Sequence, residues 1–494
     1  MKKYIYIILI LNFTLLHSQQ TSIRWSESFK NKEIIPLGEI NNSYYIARIN
    51  DENRIVTSIY TKDLKIYKEV TSEYIFKDKE IQYCSSKLLN DKLIHFIKEF
   101  NFEEKKIELF AYIYDLNLEK PYTKILLSTC DLSKISGGIV GLKNGTGSWA
   151  PIFQFEIKFS PNNNYFFIVQ NNLIANGGLY SRIEKRKQIK VFEVEKLDKP
   201  KYEYTFKDND YYINLNSILI DNTANLYITL LYHFKNDNYT IQSKNLYSLI
   251  VVNSKLEEKV LKYGFEENLA TTSLNVLFED DKFYVTGFKS DIKEKRFPGK
   301  FYLTEYDSNT LQETNSIEKT IENLYPKELK SKDKIPYVVE TIKKFPNNEI
   351  LIVTKQFNIG TEVEYGDIAI LKLTNKSEVS FVYKIPYYLK GNSLRKTGNT
   401  SSVCIDNDNK LNIFIEDNLD NINYTEEKNY NDVSNFNANK NGIYLYEFSE
   451  KGLINRQIII NQKESNERLI LRNIIKTSGN FLLLGLEQIG VLKF

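Results

Sequence analysis

Cysteine and histidine are scarce in this chain of 494 residues, and each shortage closes off a chemistry. Cys84, Cys130 and Cys404 are too few and too scattered for a disulfide-stapled scaffold, and an odd number leaves at least one thiol free. Packed thiols are the expected state. Of the three histidines, His17 falls in an N-terminal segment read below as removed, which leaves His95 and His233. Two isolated histidines cannot build a His-rich zinc site, and no metal is expected. A Ser-His-Asp arrangement would have to run through one of them, and no G-x-S-x-G elbow is present. No G-x-G-x-x-G stands between a strand and a helix, so a phosphate-binding loop is disfavoured and no cofactor is expected.

An excess of charge of one sign is missing as well. Lys and Arg number 66 against 63 Asp and Glu, and two of the lysines, Lys2 and Lys3, lie in the N-terminal segment. The rest is close to neutral, which argues against nucleic acid as a partner. Long apolar runs are absent apart from Tyr4 to Leu16, which follows the two lysines and stops at His17-Ser18-Gln19. A basic start, an apolar stretch and a small residue before the cut describe a secretory signal peptide over residues 1–18. The run is shorter than the roughly 20 residues of a membrane span. No cysteine sits near the cut to take a lipid. The sequence therefore predicts an exported protein of the periplasm or cell exterior, monomeric, with residues 19–494 as a single domain and no membrane span.

Aromatic residues are what the chain has in plenty: 35 Tyr and 29 Phe. They favour strands. Eight times a short Asn/Asp-rich turn leads into an apolar, aromatic strand, as in Phe159-Ser160-Pro161-Asn162-Asn163-Asn164-Tyr165-Phe166-Phe167-Ile168-Val169. The turns centre near Asn42, Asp91, Asn163, Asn222, Asp280, Asn348, Asp408 and Gly479. Their spacing, about 60 residues, is that of a repeat architecture. Later in each unit an alternating strand runs through a polar turn into another, as in Phe301-Tyr302-Leu303-Thr304-Glu305-Tyr306-Asp307-Ser308-Asn309. Four strands per unit, a to d, predict an all-β protein, a β-propeller of four-stranded antiparallel blades. Eight blades fit the turns, with seven as the alternative. The last unit ends after strand c, and residues 22–28 are unassigned, so the N-terminal strand is expected to supply the missing outer strand and close the ring.

The Phe159 to Val169 stretch resembles the strand–turn–strand signature of exported bacterial β-propellers of the TolB-like and WD40-like kind. The resemblance spans nearly the whole of residues 19–494 and implies a fold without an activity. The Trp-Asp dipeptide of WD40 repeats, the paired glycines of kelch repeats and the Asp-box of sialidase-like propellers are all absent.

In an antiparallel blade the b–c and d–a connections share one end. Here they read as long loops, over residues 171–188, 232–244, 288–299, 357–366 and 416–442 for b–c, and 128–151, 319–336 and 386–400 for d–a. Long loops are commonly functional, so this face is the expected binding site. Trp149, in the glycine-rich 128–151 segment, could stack on a sugar or peptide. Arg182, Lys185, Arg186 and Lys187 form a basic cluster, and Arg395 lies near Tyr387 and Tyr388, a pairing suited to acidic glycans or carboxylated peptides. His233 opens a loop, whereas His95, between Ile94 and Phe96, reads as a core residue. These residues predict a non-enzymatic module for a protein or glycan ligand. The alternatives are a carbohydrate-active hydrolase or lyase with carboxylates near the central channel, and a subunit of a cell-envelope complex. Asp406-Asn407-Asp408-Asn409-Lys410 resembles a calcium loop but lacks its glycine and distal glutamate.

Overall fold

The computed structural model describes residues 23–28, 33–72, 81–101, 103–119, 122–131, 155–175, 182–207, 212–233, 246–263, 269–279, 282–291, 300–321, 324, 337–345, 347–359, 363–387, 389–391, 401–405, 410–423, 440–449, 451–461, 471, 474–478, 480–485 and 488–493. After β1 (Ile23–Trp25), the first full sheet is β2 (Glu33–Ile40), β3 (Ser43–Ile49), β4 (Ile55–Tyr60) and β5 (Ile66–Thr71). The second is β6 (Ile81–Leu88), β7 (Lys92–Asn101), β8 (Lys106–Asp115) and β9 (Thr123–Asp131). The third is β10 (Phe155–Phe159), β11 (Tyr165–Ala175), β12 (Arg182–Glu193) and β13 (Tyr202–Lys207). The fourth is β14 (Tyr212–Ile220), β15 (Leu226–His233), β16 (Leu246–Val252) and β17 (Glu258–Tyr263). The fifth is β18 (Leu269–Glu279), β19 (Lys282–Asp291), β20 (Lys300–Asp307) and β21 (Glu313–Thr320). The sixth is β22 (Tyr337–Lys344), β23 (Ile350–Ile359), β24 (Val363–Leu373) and β25 (Val379–Ile385), with the short β26 (Leu389–Gly391) added to β24. The seventh is β27 (Ser401–Ile405), β28 (Leu411–Asn418), β29 (Asn441–Ser449) and β30 (Gly452–Asn461), and the last contains β31 (Ile475–Lys476), β32 (Asn480–Leu484) and β33 (Ile489–Lys493).

Every sheet runs a-b-c-d between antiparallel neighbours, and the eighth is completed by β1, in the order β1-β33-β32-β31. This is the eight-bladed β-propeller arrangement, and the seven-blade alternative falls away. Contact density divides the chain into two compact units, one of Met1–Ser72 with Ser393–Phe494 and one of Glu73–Asn392. The first carries blades one, seven and eight, the second blades two to six.

Strand alternation explains the continuous apolar runs that follow each turn. A middle strand of a blade is covered on both faces, so neither residue parity can be polar. In blade three, Phe166, Ile168 and Phe192 pack with Phe96, Leu109 and Leu127 of blade two. Their neighbours Phe167, Val169, Ile189 and Val191 pack with Ile218, Leu226 and Ile228 of blade four. The same division recurs between blades four and five and between five and six. In the other unit, Phe414, Ile443 and Leu445 meet Phe481, Leu483 and Leu492, while Leu482, Ile489 and Val491 meet Ile34, Tyr44 and Ile46.

The a–b turns are held by their own polar side chains, the reason Asn and Asp recur there. Asp221 is the fullest case. Its carboxylate accepts hydrogen bonds from the Thr223 and Asn225 backbone N–H groups, both at 2.8 Å, from the Thr223 hydroxyl and the Asn225 amide, and from buried Tyr227 at 2.9 Å. Asn42, Asn163, Ala224 and Asn348 take positive φ in these turns.

The closing blade is built from the two ends of the sequence. Ile23, Arg24 and Trp25 oppose Leu492, Val491 and Gly490. Ser26 continues the contact: its N–H donates to the Ile489 carbonyl at 2.8 Å, and its hydroxyl accepts from the Ile489 N–H at 3.1 Å. Arg24 also pairs with Asp63.

Two of the expected long loops are corrected. Much of 171–188 and 357–366 is strand: β11 and β12 pair out to Ala175 and Arg182, and β23 and β24 to Ile359 and Val363. Each pair passes a register shift, at Asn172/Ile174 and at Lys355/Phe357. A bulge re-aims a strand without ending its ladder, and Asn- and Lys-rich composition hides such an extension from a polarity reading.

Candidate functional site

The b–c end of blades two to six is the place to look for the expected binding face. Among the described residues, β10 of blade three pairs as far as Gln170 and β13 as far as Arg186, while β11 and β12 continue as a two-stranded ribbon. In blade six, again among the described residues, β22 pairs as far as Gln356 and β25 as far as Ile368, and β23 and β24 continue likewise. There the chain returns after strand d and lays β26 against Val363, Glu364 and Tyr365 of the projecting strand.

Paired polar side chains brace the bases of these hairpins. Between blades two and three, the buried Ser128 hydroxyl donates to Gln170 Oε1 at 3.0 Å. In blade five Glu318 accepts from Lys289 Nζ at 2.7 Å and from Lys300 Nζ at 3.1 Å. Burial pushes the Glu318 carboxyl up, but the two lysines outweigh it and leave the group below its ordinary range. In blade six Lys355 pairs with Glu340 at 3.1 Å. Gln356 Oε1 accepts the Asp367 N–H at 2.9 Å, and Asp367 Oδ1 accepts the Tyr387 N–H at 3.1 Å.

The sequence-derived candidates are scattered by this geometry. Arg182, Lys185, Arg186 and Lys187 belong to β12 and its ribbon rather than to a loop. His233 is the last residue of β15, opposite Tyr212, and not the start of a loop. Tyr387 is buried at 2% exposure and is held by its backbone on Asp367, so its ring is core. Trp149, Tyr388 and Arg395 lie outside the described residues, as do Asp406 to Asn409 of the calcium-like stretch.

His95 is core, as expected from its strand. It is buried beside Tyr114, with Nδ1 against the Ser86 hydroxyl, and burial lowers its pKa to about 3. The imidazole is therefore neutral in the fold. All three cysteines are free thiols, and burial raises each pKa, that of Cys84 to about 11. Such thiols are poor nucleophiles at neutral pH. Each described carboxylate with a displaced pKa is displaced downward. In Glu193 and Glu349 hydrogen bonds from lysine side chains lead, in Glu305 Lys282 overcomes burial, and in Asp307 the Thr310 N–H leads. A general acid requires the opposite displacement. No group of three or more His, Cys, Asp or Glu side chains suited to a metal occurs among the described residues, nor any helix long and apolar enough to cross a membrane.

The class these features define is the eight-bladed β-propeller, and comparison with known proteins adds no finer assignment. No family model and no curated protein matches the chain. Among solved structures it is similar to the WD40 domain of SCAP from fission yeast, at 8% identity and a TM-score of 0.38, covering 97% of this chain and 99% of that one. It is similar to the β-propeller domain of the Trilobed protease from Pyrococcus furiosus, at 9% identity and a TM-score of 0.33, covering 74% and 96%. It is also similar to the acylaminoacyl peptidase of Pyrococcus horikoshii, at 10% identity and a TM-score of 0.38, covering 83% of this chain but only 50% of the peptidase. The fold assignment rests on the strand order itself.

Proposed function

We propose that this chain is an exported, non-enzymatic β-propeller that binds a protein or glycan ligand at the b–c end of blades two to six. The observation that carries the reading is the pair of ribbons in blades three and six that continue past the pairing of their flanking strands among the described residues. A strand that continues beyond its sheet offers backbone donors and acceptors to a partner. In blade six this chain's own β26 takes that edge of β24, and a partner strand would add in the same way to the ribbon of blade three. Blade three adds Arg182, Lys185, Arg186 and Lys187 along such a ribbon, which favours an acidic peptide or acidic glycan. Export rests on the basic-then-apolar start of the sequence.

The test is a glycan- and peptide-array screen of residues 19–494, with an Arg182/Lys185/Arg186/Lys187→Ala variant and a Trp149→Ala variant alongside. The expected result is a specific acidic hit that the fourfold variant weakens by about tenfold or more, since several charge-assisted hydrogen bonds are lost. A screen with no acidic hit, or an acidic hit that neither variant touches, overturns the assignment of this end.

A further inference from the structure

In the unit of Met1–Ser72 with Ser393–Phe494, two a–b turns enclose an open cleft of about 540 Å³ lined by Glu39, Asn41, Asn42, Lys476, Thr477 and Ser478. Glu39 ties the turns together. Its carboxylate accepts the Ser478 N–H at 2.8 Å and the Ser478 hydroxyl at 2.7 Å. The Thr477 hydroxyl is likewise engaged, donating to the Asn480 carbonyl at 2.9 Å. The two asparagines differ. Both are exposed, and neither side-chain amide has a hydrogen-bond partner among the described residues.

Their backbone makes this unusual. Asn41 and Asn42 have φ of 49° and 63°, the paired left-handed conformation of a two-residue hairpin turn. Asparagine followed by glycine is the relaxed solution there. A second asparagine keeps some strain at the position where glycine would remove it, and places a second exposed amide at the rim of the cleft.

We propose that this cleft binds a neutral, hydroxyl-rich ligand, a saccharide. Each amide both donates and accepts. The Glu39 oxygens, each with one bond to Ser478, retain further acceptor capacity, and the Ser478 oxygen can accept. A sugar hydroxyl donates one hydrogen bond and accepts others, so adjacent hydroxyls match an amide next to a carboxylate. Glu39 and Lys476 are of opposite sign, so the lining favours neither an anion nor a cation. The volume lies within the roughly 300–1,000 Å³ of small-molecule sites. With no aromatic ring among the described lining residues for a sugar to stack on, binding is expected to be weak, with a dissociation constant on the order of 1 mM, or about −4.1 kcal/mol.

The site lies at a–b turns and uses none of the b–c residues of the proposed function, so the two readings fail independently. The experiment is saturation-transfer NMR and calorimetric titration of the purified chain with glucose, galactose and N-acetylglucosamine. Asn41→Gly and Asn42→Gly remove the amides while suiting the left-handed backbone, and thermal melting checks that both variants fold. Asn41→Asp and Asn42→Asp replace the amide donors by a charged acceptor and retain the size. At least one sugar should bind the wild-type chain, each glycine variant should weaken it about tenfold, and each aspartate variant should weaken it as well. The Arg182/Lys185/Arg186/Lys187→Ala variant should leave it unchanged. Absence of binding by all three sugars, or binding indifferent to both glycine variants, overturns the proposal.

Discussion

At the scale of single residues, His95 gives the chain a dependence on pH that can be separated from that of its carboxylates. Its folded pKa of about 3 lies below its ordinary 6.5 because burial disfavours the imidazolium. Between those values the unfolded chain binds a proton that the folded chain does not, so stability falls as pH falls through this window and is fully retained above it. Glu305, Glu318 and Glu349, with pKa values below their ordinary 4.5, act in the same direction but begin to matter only lower down. From about pH 7 to about pH 5 the His95 contribution alone is about 2 kcal/mol. Urea unfolding of the wild type should show that loss. A His95→Gln variant, which can still face the Ser86 hydroxyl, should be less stable at neutral pH and nearly flat across the same range. An equally steep dependence in the variant would mean that another group titrates there.

At the scale of elements, the composition of the turns announces where they fall but not the backbone conformation they take. The a–b turns were legible because Asn and Asp tie them locally, as Asp221 does with five hydrogen bonds. The c–d turns carry the same kind of signal, with Asn253 and Asp307 bonding the backbone N–H groups that follow them, but they also place Leu64, Leu118, Leu256 and Leu311 at φ between 53° and 65°, where glycine is usual. Each leucine N–H bonds back three or four residues, to Thr61, Asp115, Asn253 and Asp307. The left-handed backbone costs a β-carbon residue about 1–2 kcal/mol, and tertiary burial decides whether that is recovered. Leu64 is 5% exposed and belongs to a core cluster, whereas Leu256 is 50% exposed. Leu256→Gly should therefore leave stability unchanged or raise it by up to about 1 kcal/mol, and Leu64→Gly should lower it by about 1–3 kcal/mol. Paired denaturant melts check the contrast, and equal effects would refute packing as the compensation. The candidate site was less legible for the same reason. Projection of β11–β12 and β23–β24 depends on bulges and on pairing partners elsewhere in each sheet, and burial of Tyr387 depends on Asp367, twenty residues away.

At the scale of the molecule, blade eight depends on a pairing between residues 23–25 and 490–492, almost the whole chain apart. Bringing such distant ends together has an entropic cost of several kcal/mol, while β1 offers only three paired residues. Side-chain fit must supply the rest, and Gly490 is where it can be tested. A β-carbon there would lie 2.9 Å from Trp25 Cζ3 and 3.0 Å from Ile23 Cγ2, so β1 lies flat on β33 only because position 490 has no side chain. Gly490→Ala should cost about 1–3 kcal/mol as an overpacked contact. In a Trp25→Ala background, where the nearest ring is gone, the same substitution should cost well under half as much, giving a coupling energy that a double-mutant cycle measures. Trp25 and Trp149 are the chain's two tryptophans, so a Trp149→Phe background makes Trp25 emission a reporter of this blade alone. There Gly490→Ala should move the emission toward that of solvent-exposed indole while far-ultraviolet circular dichroism stays nearly constant, because one displaced strand of three residues is a small part of the β-structure. Wild-type emission in Gly490→Ala, or an undiminished cost without Trp25, would show that the closing strand is held by its backbone and Ser26 contacts rather than by the fit of Trp25 over Gly490.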